Sequence, residues 1–124
     1  MPATETKDLK LAVAAEDRDG VSLYRLTGSL EIANVAEAKD LTAPAFESEP
    51  PKILFDLSGI DYIDSAGLGF LIGTLRRANQ AKGTVRVCGL SAYLTGVFKI
   101  VNLQNILEVF PDEEKALEAF RNAG

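Results

Sequence analysis

The residues able to do chemistry gather in one stretch, Asp56 to Gly69, which holds aspartates at 56, 61 and 64, a serine at 65 and glycines at 59, 67 and 69. Three carboxylates suggest a divalent cation, but only Asp61 and Asp64 fall near one loop. Two carboxylates hold such an ion weakly without phosphates from a substrate, so no metal site is expected. Ser65 would need a base to act as a nucleophile. The chain has no His, so a Ser-His-Asp triad and any His-containing metal site are both impossible. A nucleophile elbow, G-x-S-x-G, needs glycine where the chain has Ile63. A dinucleotide fingerprint fails by one position, because Gly67 and Gly69 are followed by Ile72 and only then by Gly73. A phosphate loop of the G-x-x-x-x-G-K type is missing. The single Cys88 excludes an intrachain disulfide and reads as a small core residue. Neither an enzymatic activity nor a cofactor is expected.

What remains at Asp64-Ser65 is the start of a helix. Either side chain can accept a bond from an unpaired backbone N–H there, which is ordinary capping. Capping does not explain Gly67 and Gly69 in the first turn, each costing about 0.5–1 kcal/mol relative to Ala. Close packing on the sheet would account for them, and so would a bare helix tip that lets another protein approach Ser65; both readings stay open. Ser58 is assigned to the turn after the preceding strand. Arg76 and Arg77 read as a solvated helix face that could also rim a partner site.

The elements that must position this stretch follow from patterning. Leu9, Leu11 and Val13 alternate with polar neighbours up to Ala15, Asp17 to Gly20 is turn chemistry, and Val21 to Leu26 alternates again, which predicts a hairpin. Asn34 with Glu37 resembles a capping box opening a helix that Pro44 should end or kink. Ile53-Leu54-Phe55 predicts a strand covered on both faces. Leu68, Leu71, Ile72 and Leu75 share one face of a second helix, which Gly83 stops. Val85 to Gly89 is the next strand, Ser91 caps a third helix with Leu94, Val97, Phe98 and Val101 on one side, and Ile106 to Val109 is a short strand. Asp112 caps a last helix with Glu113 and Glu114 in its first turn and Leu117 and Phe120 facing in. The order β-β-α-β-α-β-α-β-α predicts an α/β fold: a mostly parallel sheet of four to five strands with an N-terminal antiparallel edge hairpin and about four helices.

Composition sets the class. The chain has 124 residues, 47% hydrophobic and 25% charged, which suits one globular domain over 9–122 with a loose tail at 1–8. Its net charge of −5, from 13 Lys+Arg and 18 Asp+Glu, leaves no basic stripe for nucleic acid or an anionic membrane. The N-terminal stretch has no apolar signal segment and no apolar run is long enough for a membrane span, so a cytoplasmic protein is expected.

Asp64-Ser65-Ala66-Gly67-Leu68-Gly69, preceded by Ile53-Leu54-Phe55-Asp56-Leu57-Ser58, resembles the STAS family, the bacterial anti-sigma factor antagonists. The likeness spans about residues 10–122 and includes Gly28-Ser29-Leu30-Glu31 and the strand ending Cys88-Gly89. The resemblance implies partner switching. Ser65 would be phosphorylated by a serine kinase that is also the anti-sigma factor. The unmodified protein would bind that kinase and free the sigma factor, and a PP2C-type phosphatase would reset it. Glu31, Asp64, Ala66, Gly67, Leu68 and Gly69 would form the partner-binding surface, with Asp64 supporting the serine. The chain departs from the family in Ala66, where a second Ser or Thr is common, in Glu31, where Asp is usual, and in Pro44 within the first helix. Two other readings are compatible with the resemblance: a constitutive STAS scaffold or accessory subunit of a signalling or lipid-transport complex, and a nucleotide-binding STAS module. Oligomeric state is left open.

Overall fold

A computed structural model describes residues 10–122; the expected tail at 1–8, and Leu9 of the first strand, lie outside the described residues. The element order matches the expectation: β1 Leu11–Arg18, β2 Val21–Leu30, α1 Val35–Thr42, β3 Lys52–Ile63, α2 Ser65–Gln80, β4 Thr84–Cys88, α3 Ala92–Ile100, β5 Glu108–Phe110 and α4 Glu113–Asn122. Short 3-10 turns at Ala43–Glu47 and Leu103–Asn105 are added. The hairpin turns on Asp19 and Gly20, both at positive φ, with Asp17 Oδ1 accepting from Gly20 N–H at 3.0 Å. Such a turn matches the right-handed twist of paired strands.

The five strands lie in sequence order, β1 antiparallel to β2 and the rest parallel. Right-handed crossovers that always step in one direction place their helices on one face. Accordingly α1, α2 and α3 cover one side, where Leu26, Ile53, Phe55, Val87, Phe70, Leu71, Leu94 and Phe98 form the main core. Among the described residues only α4 covers the other face, through Ala116, Leu117 and Phe120 against Val21, Leu23, Leu54 and Cys88.

Several local expectations are corrected. The capping box fails: Asn34 sits at the α1 N-cap position but makes no cap bond with its side chain. That side chain instead holds the preceding loop, accepting from Glu31 N–H at 2.9 Å and donating to the Ser29 carbonyl at 3.0 Å. Ser58 lies in β3, not in a turn after it, because the strand runs on to Ile63. Its continuation is irregular, with register shifts against β2 that absorb an extra residue at Leu57–Ser58 and another at Asp61. Val101 is exposed and caps α3, so it does not face inward with Leu94 and Phe98. Pro44 behaves as expected: α1 ends at Thr42 and the chain tightens into the 3-10 turn.

Candidate functional site

β3 delivers Asp64 to the start of α2 in an extended conformation, φ −114° and ψ −172°, as a capping residue requires. One carboxylate oxygen, Oδ1, accepts from Gly67 N–H at 2.9 Å. The other, Oδ2, accepts from Ile32 N–H at 3.1 Å, 32 positions earlier in the chain. Asp64 thus ties the β2–α1 loop to the tip of α2. Partial desolvation pulls its carboxyl upward, but the N–H donors of Gly67, Ile32 and Ala66 outweigh this and hold it below the usual aspartate value.

With the cap supplied entirely by Asp64, Ser65 is left as the first residue of α2, exposed, and its hydroxyl has no hydrogen bond among the described residues. At that position the helix dipole favours negative charge beside the hydroxyl.

The two glycines of the first turn separate into two roles. A Cβ on Gly67 would lie 2.1 Å from the Leu30 carbonyl oxygen and 2.7 Å from Ile63 Cγ1, so this glycine allows α2 to pack on the sheet. A Cβ on Gly69 would meet nothing within 4 Å. Gly69 therefore keeps the surface open, as does Gly73 one turn on. Both line a groove of about 570 Å³ between α1 and α2, with Val35, Lys39, Phe46 and Ala66. Leu68 is half-buried against the core. Arg76 and Arg77 are exposed, and Arg77 lies over the Phe46 ring at 4.0 Å. Both sit three turns from Ser65, which removes them from the rim of the tip.

Glu31 is placed differently from the other expected contact residues. It is 7% exposed, and its carboxylate accepts from Ser29 Oγ at 3.2 Å. Its backbone carbonyl accepts from Val35 N–H at 2.9 Å, so Glu31 shapes the loop from within. The residue that the loop presents is its neighbour Ile32, 73% exposed. Tyr62 and Tyr93 are also exposed near Asp64. The Tyr93 hydroxyl accepts from Ile63 N–H at 3.2 Å and donates to its carbonyl at 3.3 Å, pinning the end of β3 to α3. Sequence reasoning did not find Ile32, Tyr62, Tyr93 or the loop role of Asn34. A lone isoleucine two positions after the end of β2 is the available sign for the first of these.

The family model for the STAS domain matches residues 12–116. The chain is 26% identical over 101 residues to the anti-sigma-B factor antagonist of Staphylococcus aureus, covering 82% of this chain and 94% of that protein. Among solved structures, an anti-sigma factor antagonist from Mycobacterium paratuberculosis superposes with a TM-score of 0.81 at 22% identity, covering 90% of this chain and 95% of that one. The phosphorylated form of the Bacillus cell fate determinant SpoIIAA superposes with a TM-score of 0.68 at 20% identity, over 88% and 99% of the two chains. At these identities the superpositions establish the fold. Because the family model covers most of its length, this chain belongs to the STAS domain family.

Proposed function

We propose that this protein is a cytoplasmic anti-sigma factor antagonist that works by binding and not by catalysis. It binds a serine-kinase anti-sigma factor while Ser65 is unmodified, is released when Ser65 is phosphorylated, and is reset by a PP2C-type phosphatase. The observation that carries this reading is the division of labour at α2: Asp64 caps the helix, so the exposed Ser65 hydroxyl has no structural task. The names of the antagonists to which the chain is similar agree with it.

Electrostatics makes such a switch act at an interface. Phosphoserine adds about −1.5 to −2 charges, and a helix N-terminus accommodates them, so the fold itself changes little. Asp64 cannot move away, being held by Gly67 and Ile32. A partner packed over Ile32, Ala66, Leu68 and Gly69 would have to desolvate the phosphate beside that carboxylate. A penalty of only about 1.4 kcal/mol weakens binding tenfold.

The decisive experiment is phosphopeptide mapping of the native protein from cells in rich and stressed growth, joined to binding assays against the kinase captured with it. Occupancy at Ser65 should change with condition, Ser65→Asp should bind the kinase at least about tenfold more weakly, and Ser65→Ala should bind constitutively. Ser65 bare under every condition, with both variants binding like wild type, would leave a constitutive scaffold in place of a switch.

A further inference from the structure

β1 is an edge strand, and its outer side has no partner among the described residues. The phase of the hairpin says which backbone groups are free there. Ser29 N–H donates to the Lys10 carbonyl at 3.2 Å, and the turn closes on Arg18 and Val21. Even-numbered residues of β1 therefore exchange bonds with β2, and the N–H and C=O groups of Leu11, Val13, Ala15 and Asp17 point outward. Edges are commonly blunted by a proline, a charge or a bulge. Here the pairing from Leu11 to Arg18 has no register break, and Leu11-Ala12-Val13-Ala14-Ala15 contains neither charge nor proline.

We infer that β1 pairs antiparallel with β1 of a second copy of this chain, joining two five-stranded sheets into one. A two-fold axis puts the same strand on both sides, and the outward groups require odd residues to meet odd residues. Three central registers satisfy this. Centred on Val13, Lys10 faces Glu16 of the second copy at both ends, Leu11 faces Ala15 and Ala12 faces Ala14. Centred on Ala14, Lys10 faces Arg18 and Leu11 faces Asp17. Centred on Ala15, Asp17 faces Val13 and Arg18 faces Ala12. Only the first pairs opposite charges and leaves no charge against an apolar residue between Lys10 and Glu16. Glu16 is already positioned on that face by Arg25 at 2.9 Å. In this register Val13, which lies on the other face of the strand and packs against the main core, meets its own copy and extends the apolar surface there. Self-complementarity of charge and register is what selects a second copy over a strand of another protein. Because the pairing is antiparallel, the two α2 tips point in opposite directions along the strands, and neither Ser65 is covered.

Sedimentation equilibrium of the full chain tests this, together with oxidative cross-linking of cysteine variants. Wild type should dimerise with concentration. Ala15→Pro removes an outward N–H while leaving the bonds to β2 intact, and should raise the dissociation constant at least about tenfold in a chain that remains folded by circular dichroism. Val13→Cys should cross-link to its own copy on oxidation, and Ala14→Cys should not, since Ala14 faces Ala12 in the selected register. A protein that stays monomeric into the millimolar range would overturn the inference. So would a dimer unaffected by Ala15→Pro, or cross-linking through Ala14→Cys in place of Val13→Cys. If Ala15→Pro unfolds the chain, the two cysteine variants decide.

Discussion

At the scale of single residues, Asp64 does more than its capping position required. Its two oxygens satisfy N–H groups from two loops, one at the α2 tip and one after β2. Asp64→Ala should therefore cost about 1–2 kcal/mol in urea unfolding. Asp64→Asn should cost less, because an amide oxygen still accepts the Gly67 bond. The sign of the pH dependence follows from the lowered carboxyl: its stabilisation is present above the ordinary aspartate range and is lost as pH falls through the folded value. Asn at this position should remove that dependence. Cys88 has a different environment. Burial first, then Asp56 and Glu113, push its thiol up to about 12, which keeps it inert as a core residue.

At the scale of elements, α2 carries one glycine for the fold and one for the surface. Gly67→Ala drives a Cβ into the Leu30 carbonyl and should destabilise the protein by about 2 kcal/mol or more in thermal or urea unfolding. Gly69→Ala meets open space and should stabilise the helix by about 0.5–1 kcal/mol. If the tip is the docking face, the same Gly69→Ala change should weaken binding to the kinase while stability rises. A gain in stability with unchanged affinity would move the docking face away from this turn.

At the scale of the whole molecule, α4 is the sole cover of its face of the sheet among the described residues, and its first turn is tied to β2. Arg25 donates to both Glu113 oxygens, at 2.7 and 3.0 Å, and to Glu16 at 2.9 Å. The Arg25 hydrogen bonds, aided by Asp56, hold the Glu113 carboxyl down at about 2, against an ordinary value of 4.5. Folding is thus favoured by ionised Glu113 above pH 4.5 and loses this contribution as pH falls toward 2. Neighbouring Asp56 works in the opposite sense: desolvation, then Glu113, raise its carboxyl, so it takes up a proton earlier and offsets part of the loss. Since Arg25 is partly exposed, the net effect should be about 1 kcal/mol. Urea titrations between pH 5 and pH 2.5 should show this slope (a window set by the usual carboxylate range), and Glu113→Gln should flatten it.

How far the chain could be read from its residues depends on how local the cause was. The α/β order, the hairpin turn, the stop at Pro44 and the amphipathic face of α2 all arise from spacing and backbone preference within a few residues, so they were legible. The Asp64-Ser65 tip was legible as a helix start for the same reason. What the sequence left undecided depended on contacts between distant segments. β3 continues through Ser58, Gly59 and Asp61 because β2 pairs with it, although those residues are poor strand formers. Asn34 bonds to Ser29 and Glu31 in place of its own helix because that loop folds back over it. Glu31 turns inward and Ile32 outward for the same reason. The choice between capping and a free Ser65 hydroxyl was decided only in three dimensions, where Asp64 meets both Gly67 and Ile32. Local propensity set the kinds of element and their order. Long-range pairing set where they end and which side chains they leave exposed, because those outcomes depend on what the rest of the chain places beside them.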